Sequence, residues 1–412
     1  MNKKIKIGII GLGQRGYNLL SNFFVRSSRV EVTALSDIYA DRTQDAYQKV
    51  LETAGNKPVT STNYLDILDP KLVDAVIIAT SWDTHIEVAI EAMKRGIITG
   101  LEVGGAYSIE ECWDLVKTFE STQTPFMFLE NCCYNKDELL ATALVRHGIL
   151  GEIVHASGSY THDIRDEVAY GIEKRHYRLL NYINRNGDNY PTHELGPIAK
   201  ILGVNRGNRM VSLVSMASKA KGMEQYIHNN LDTINPKLHD QRFNQGDVVY
   251  TLIKCANGET ITLKLDTTLP SYPGRNFTIK GTKGMYQQPG NIVVVDGVDN
   301  KEEIWGEMVN LRRLLDNADR YKNDYLPDYW KNITPEQISA GHGGMDVYML
   351  DSFLDAIEQK DEMPIDVYDA AAWMAITILS EESINLGSQP VAIPDFTKGK
   401  WIKRPLKDVV KL

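Results

Sequence analysis

The sequence predicts an α/β chain, with a doubly wound parallel sheet in its N-terminal part and an α+β domain with a mostly antiparallel open sheet in its C-terminal part. Three observations carry this. Lys6-Ile7-Gly8-Ile9-Ile10, too short an apolar run for a buried helix, breaks into Gly11-Leu12-Gly13-Gln14-Arg15-Gly16 before helix-forming residues resume. Apolar strand candidates then alternate with helical stretches as far as Leu129. Beyond Lys136 strand candidates follow one another, with Asn257-Gly258, a strong hairpin signal, between two of them.

In the first stretch Gly11 makes the tight turn, Gly13 lets backbone approach a pyrophosphate, and Gly16 lets the helix pack on the strand. This is the pattern of a Rossmann dinucleotide-binding turn, although glycines also punctuate ordinary turns. A second apolar run, residues 30–35, ends at Asp37, about twenty residues beyond the turn. An acid there hydrogen-bonds the adenosine ribose and repels a 2′-phosphate, which favours NAD over NADP. The alternative is a helix N-cap before residues 40–51.

With 412 residues, 43% hydrophobic and 24% charged, the chain has length for two cores. The expected division is an NAD-binding domain at 1–130, a substrate-binding domain at 131–395 and a tail at 396–412. A formal charge of -9 and the lack of any Lys/Arg stripe argue against a nucleic-acid partner and for a small-molecule or glycan ligand. Cys112, Cys132, Cys133 and Cys255 show neither metal-ligand spacing nor disulfide density, so they are expected as reduced core residues and no metal is expected. No signal peptide precedes the first strand, and no apolar segment approaches the roughly twenty residues of a membrane span. A cytoplasmic protein is expected, or a periplasmic or exported one if a signal has been trimmed.

After Asp37 come a helix and then the run 73–80, apolar on both faces as a central parallel strand must be. Ser81-Trp82-Asp83-Thr84-His85 follows, then a helix at 87–94, a strand at 97–101, a helix at 109–120 and a strand at 125–129. Ligands of such sheets lie beyond the carboxyl ends of the strands, which singles out Trp82 to His85, Glu102-Val103 and Glu130-Asn131. Asp83 and Ser108 read as helix-capping residues. Further on are a helix at 137–147, a strand at 152–160 and a long irregular segment rich in Arg and Tyr, a length usual for functional or mobile loops. Strand candidates at 210–217, 248–255, 259–267, 276–280 and 292–295 follow, then helices at 347–358 and 370–386.

Tyr190-Pro191-Thr192-His193-Glu194-Leu195-Gly196-Pro197 ends the long segment and leads into a helix at 198–202, with Pro197 tolerable only near its first turn. His193 then lies near a helix N-terminus, whose positive end disfavours imidazolium and leaves a ring able to accept a proton. A purely structural histidine is the alternative.

The order of Arg15-Gly16 in the glycine turn, Trp82-x-x-His85, Glu102-Val103, Glu130-Asn131-Cys132-Cys133-Tyr134, Tyr190-Pro191-Thr192-His193 and Gly341-His342-Gly343-Gly344-Met345-Asp346 resembles glycoside hydrolase family 109. That is the NAD-dependent α-N-acetylgalactosaminidase branch of the Gfo/Idh/MocA oxidoreductase superfamily, and the resemblance spans nearly the whole chain. It implies a hydrolysis in which bound NAD oxidises the sugar's C3 hydroxyl, the ketone acidifies the C2 proton, elimination expels the glycosidic group, water adds and the hydride returns. No carboxylate pair at ordinary glycosidase spacing is needed.

Beside Gly11 and Gly13, the resemblance implies cofactor contacts at Arg15, Gly16, Asp37, Trp82, His85, Glu102, Val103, Asn131 and Tyr190. It implies substrate contacts at Tyr160, Arg178, Tyr190, Thr192, His193 and Tyr272. His193 and Tyr190 are the candidates for moving protons at the C3 hydroxyl and C2, with the division between them open. Arg178 either holds sugar oxygens or lies on a solvated surface, and Tyr160 and Tyr272 would serve equally as domain-interface aromatics. Ordinary dehydrogenases of the superfamily carry Glu-Lys-Pro, and Val103 stands in that lysine's place; such a sugar dehydrogenase is the alternative function. Two departures from the family pattern are Gly104-Gly105, where proline and alanine are usual, and Glu194, where glycine is. Gly341 to Asp346 reads as a flexible turn with Asp346 near a helix start, the alternative being that His342 reaches the sugar, and a homodimer is expected.

Overall fold

The computed structural model describes residues 3–299 and 311–412, which separate into two compact units: Met1–Tyr134 with Asn332–Ala371, and Asn135–Lys331 with Ala372–Leu412. The first unit therefore includes a segment, 332–371, that the sequence placed in the second domain.

In the first unit six strands, β1 (Ile5–Ile10), β2 (Val30–Ser36), β3 (Val59–Ser61), β4 (Ala75–Ile78), β5 (Ile98–Leu101) and β6 (Phe126–Phe128), form one sheet in the order β3-β2-β1-β4-β5-β6. Every neighbouring pair is parallel. All four residues of β4 are buried, the signature of a strand covered on both faces. The order reverses between β1 and β4, where ligands of such sheets bind. Four helices intervene: α1 (Gln14–Leu19), which continues as a π-helical turn to Phe24, α2 (Ala40–Ala54), α3 (Trp82–Lys94) and α4 (Ile109–Thr122). Ser108 and Glu111 form a capping box at the start of α4, as the residue types predict. Helix α3 begins at Trp82 instead of residue 87, because extended Ser81 already serves as its N-cap; Trp82 and His85 thus stand on a helical first turn.

The returning segment joins this unit through its apolar face. Phe353 on the helix Met345–Gln359 is fully buried, and a Cβ on Gly100 of β5 would come within 3.4 Å of its ring. Tyr348 meets Tyr134 edge-on at 5.7 Å, and the Phe128 amide donates to the Ile365 carbonyl at 3.0 Å. Arg29 adds hydrogen bonds to Asp351, Asp355 and Glu358.

The second unit opens with α5 (Lys136–Arg146) and β7 (Ile153–Thr161); α6 (Arg165–Ala169), α7 (Arg178–Asn184) and α8 (Thr192–Ile201) precede β8 (Met210–Ala217) and α9 (Gly222–His228). Then come β9 (Val248–Cys255), β10 (Thr260–Asp266), β11 (Thr278–Gly281), β12 (Gly284–Gln287), β13 (Ile292–Val295) and β14 (Val391–Ala392). These strands form one sheet in the order β13-β12-β11-β7-β10-β9-β8-β14, antiparallel except at β7/β10. Gly258, at φ +108, sits in the hairpin between β9 and β10. The long segment before Tyr190 is not wholly irregular: Val168 of α6 and Leu179 and Tyr182 of α7 share a buried cluster with Met223 and Ile227 of α9.

Helix α8 corrects the expectation most directly, since it starts at Thr192, with Pro191 as N-cap, and Pro197 lies inside it. The proline removes only the amide that would have bonded back to the carbonyl of residue 193, one turn earlier, and the helix accommodates that loss near its start. His193 is the second helical residue.

Candidate functional site

In the first unit the glycine turn is tied to the end of β2. The Leu12 amide donates to Asp37 Oδ2 at 2.7 Å and the Tyr39 amide to Oδ1 at 2.9 Å. Asp37 is not the N-cap of α2, a position held by Tyr39. Gly11 has φ +88, and a Cβ on Gly16 would stand 1.9 Å from the Gly11 carbonyl oxygen, so both positions require glycine. Among the described residues, only the Arg42 guanidinium, at 3.5 Å, stands close to where a Cβ on Gly13 would be.

Arg15, in the first turn of α1, is the hub of this region. Its Nε donates to Glu102 Oε1 at 3.0 Å, its Nη1 to Asp346 Oδ2 at 2.7 Å and its Nη2 to Asp346 Oδ1 at 3.0 Å. Asn131, just beyond β6, donates to the same Asp346 Oδ1 at 2.8 Å. Burial works against the Arg15 charge, but Glu102 and Asp346 outweigh it and hold the guanidinium above its usual range. Burial also opposes ionisation of Asp346, and Arg15 with His342 overcomes it, holding this carboxyl far below the usual range. Sequence reasoning quoted the Gly341–Asp346 stretch but gave Asp346 to a turn; its partners, Arg15 and Asn131, are too distant in sequence for any local signal.

His85 on α3 places Nε2 2.8 Å from the Thr80 carbonyl, so Nε2 carries the proton, and Nδ1 is buried with no hydrogen-bond partner among the described residues. Burial lowers its pKa to about 4, only partly offset by the Thr80 bond, and the ring is neutral at pH 7. The Val103 amide donates to Glu102 Oε2 at 3.3 Å, and the Val103 side chain, buried, offers no proton.

In the second unit β7, α7 and α8 bring Tyr160, Arg178, Tyr190 and His193 together. Tyr190 lies 4.7 Å from both Tyr160 and His193 between ring centroids, and Tyr160 lies 5.6 Å from His193. The Arg178 guanidinium stands 5.1 Å over the Tyr190 ring and 3.1 Å from Glu167 Oε1. Its side chain is only 11% exposed, so it does not lie on a solvated surface: desolvation opposes its charge, while Tyr160, Tyr177 and Glu167 more than restore it. Thr192 is fully buried, and its hydroxyl has no hydrogen-bond partner among the described residues. Tyr272 is the exception. It is 90% exposed on the loop between β10 and β11 and is not brought to this cluster; loops with prolines either side, as here at Pro270 and Pro273, run over the surface.

Residues 134–403 match the family described as Glycosyl hydrolase 109, C-terminal domain, and residues 5–129 match the oxidoreductase family, NAD-binding Rossmann fold. A Glycosyl hydrolase family 109 protein of Stenotrophomonas maltophilia is 36% identical over 426 residues, covering 98% of this chain and 91% of the relative. The chain belongs to glycoside hydrolase family 109. An alpha-N-acetylgalactosaminidase of Tannerella forsythia, 36% identical over 425 residues, covers 97% of this chain and 88% of its own length. Levoglucosan dehydrogenase in complex with NADH and levoglucosan shares the fold at a TM-score of 0.68 and 18% identity, over 95% of this chain and all of that one. Myo-inositol 2-dehydrogenase of Lactobacillus plantarum does so at 0.63 and 17%, over the same shares.

The family 109 chain is thus a glycosidase with an NAD-binding Rossmann domain. Its own residues fit that cofactor: a side-chain-free Gly13 faced only by the Arg42 guanidinium among the described residues, a first helical turn without acids, Asp37 at the end of β2 and the buried Nδ1 of His85. Both departures from the family pattern have structural partners. A Cβ on Gly104 would lie 2.4 Å from the Trp82 indole, so the ring occupies the volume a side chain there would take. Glu194, buried on α8, has its Cβ 2.7 Å from where a Cβ on Gly158 of β7 would be. No helix among the described residues is long and apolar enough to cross a membrane.

Proposed function

We propose that the enzyme cleaves α-N-acetylgalactosaminides by oxidation at C3, loss of the C2 proton, expulsion of the aglycone, addition of water and reduction at C3. Bound NAD supplies a hydride acceptor and donor for C3. The Tyr190–His193 pair, at 4.7 Å, carries the proposal. Two acid–base groups in contact can serve the two protons that such a route must move, at the C3 hydroxyl and at C2. Arg178, kept charged in a partly buried setting, orients sugar oxygens, and the Thr192 hydroxyl and Tyr160 complete the sugar contacts. Arg15, Gly16, Asp37, Trp82, His85, Glu102, Val103 and Asn131 hold the dinucleotide, directly or through one another. With valine at 103, proton transfer at the hydroxyl falls to the tyrosine and histidine instead of an ammonium. The sugar is that in the name of the Tannerella forsythia relative.

The test uses purified protein, NAD and an aryl N-acetyl-α-galactosaminide. Aryl release far in excess of any NADH formed is expected. NADH accumulating mole for mole with a free sugar, without aryl release, would contradict the proposal and identify a dehydrogenase.

A further inference from the structure

We infer that His342 is a further catalytic residue, the acid that protonates the departing glycosidic oxygen and then the base that takes a proton from the incoming water. The inference rests on the function proposed above and extends it to the leaving-group side, for which Tyr190 and His193 leave no group.

Gly341, His342, Gly343 and Gly344 all have positive φ, at 130°, 44°, 65° and 103°. For the one non-glycine among them this is a costly conformation, on the order of 1 to 3 kcal/mol, of the kind that clusters at active sites. It delivers the imidazole to Asp346: Nδ1 lies 2.8 Å from Oδ2, and 3.3 Å from Arg15 Nη1. The carboxylate can only accept, so Nδ1 carries the proton and the lone pair of the neutral ring is on Nε2. A buried carboxylate on one ring nitrogen and a free second nitrogen is the arrangement that makes histidine a directed acid–base. The His342 side chain is 54% exposed while that of Asp346 is 5%, so the ring is anchored at its base and open at its tip.

The anchor also gives the location. Asp346 is bonded to Arg15 in the glycine turn and to Asn131 beyond β6, and Arg15 to Glu102 beyond β5. Asp37, at the end of β2, marks the adenosine half of a Rossmann site, which leaves the β5 and β6 ends to the nicotinamide, beside which the reacting sugar must lie. In the forward step the ring enters as the imidazolium: its Nε2–H bond breaks, the proton joins the glycosidic oxygen, the C1–O electron pair leaves with that oxygen as a neutral alcohol, and the electron pair at C2 closes the C1–C2 double bond. In the return step the neutral Nε2 takes one proton from water as the water oxygen bonds to C1.

The experiment compares the NAD-loaded wild type with His342→Asn, whose amide keeps a donor toward Asp346, on N-acetyl-α-galactosaminides with leaving groups from 2,4-dinitrophenol to methanol. For the methyl glycoside kcat/KM is expected to fall about 100-fold or more, and for the dinitrophenyl glycoside far less, because that leaving group needs no proton. An equal loss on every leaving group, or none, overturns the role of His342 while the glycosidase function stands. No release by the wild type from any of these glycosides overturns both.

Discussion

Asp346 takes hydrogen bonds from Arg15 on both carboxylate oxygens, at 2.7 and 3.0 Å, joining residues 331 apart in sequence. The pair fastens the Met345–Gln359 helix to the glycine turn. Asp346→Ala leaves a largely buried guanidinium with Glu102 alone, and is expected to cost about 3 kcal/mol in urea unfolding and to weaken NAD binding. Unchanged stability and NAD affinity would show that the pair holds nothing in place.

Gly16→Ala sets a methyl group 1.9 Å from the Gly11 carbonyl oxygen, which neither backbone can absorb without moving α1 away from β1. NAD affinity, measured by calorimetric titration, is expected to fall at least tenfold with the second unit still folded by circular dichroism.

His85 gives the stability a pH dependence of known sign. Its folded pKa, about 4, lies below the unfolded value of about 6.5, so between these the unfolded chain binds the extra proton. Stability therefore falls as the pH drops from 6.5 to 4, by up to about 3 kcal/mol, and this share of the slope vanishes in His85→Gln. Urea midpoints of the two proteins at pH 7.5, 5.5 and 4 check this.

Asp188, two residues before Tyr190, shows the opposite dependence. It is fully buried, and among the described residues neither carboxyl oxygen has a hydrogen-bond partner of normal geometry. Burial pushes its pKa up to about 7, with the Thr251 hydroxyl and the Tyr190 amide opposing only in part. The unfolded value is about 3.9, so stability falls as the pH rises through this window and is lower by about 4 kcal/mol above it. Asp188→Asn is expected to melt well above the wild type at pH 8 and close to it at pH 4.

Much of the fold is legible locally. The strands at 210–217, 248–255 and 292–295 fall where the sequence places strand candidates, because short runs rich in β-branched and other apolar residues suit a sheet that is covered on one face. The glycine turn and Asp37 are legible because close backbone approach leaves only certain residues possible. The start of α8 is hidden by Pro197, which reads as a helix boundary yet sits one turn inside. Strand β12, only four residues beginning with glycine, has no period to read. The Arg15–Asp346–Asn131 junction and the grouping of 332–371 with the first unit depend on contacts between distant residues. Tyr272, a substrate contact only by the family resemblance, is exposed on its loop and carries no local signal that would place it.

The most direct measurement is deuterium incorporation at C2 of the sugar released when the NAD-loaded enzyme turns over an aryl N-acetyl-α-galactosaminide in heavy water. One deuterium at C2 in every product molecule, lost together with turnover in His193→Ala or Tyr190→Phe, is expected. Aryl release with the C2 proton retained would contradict the account, since direct displacement at C1 never breaks that bond.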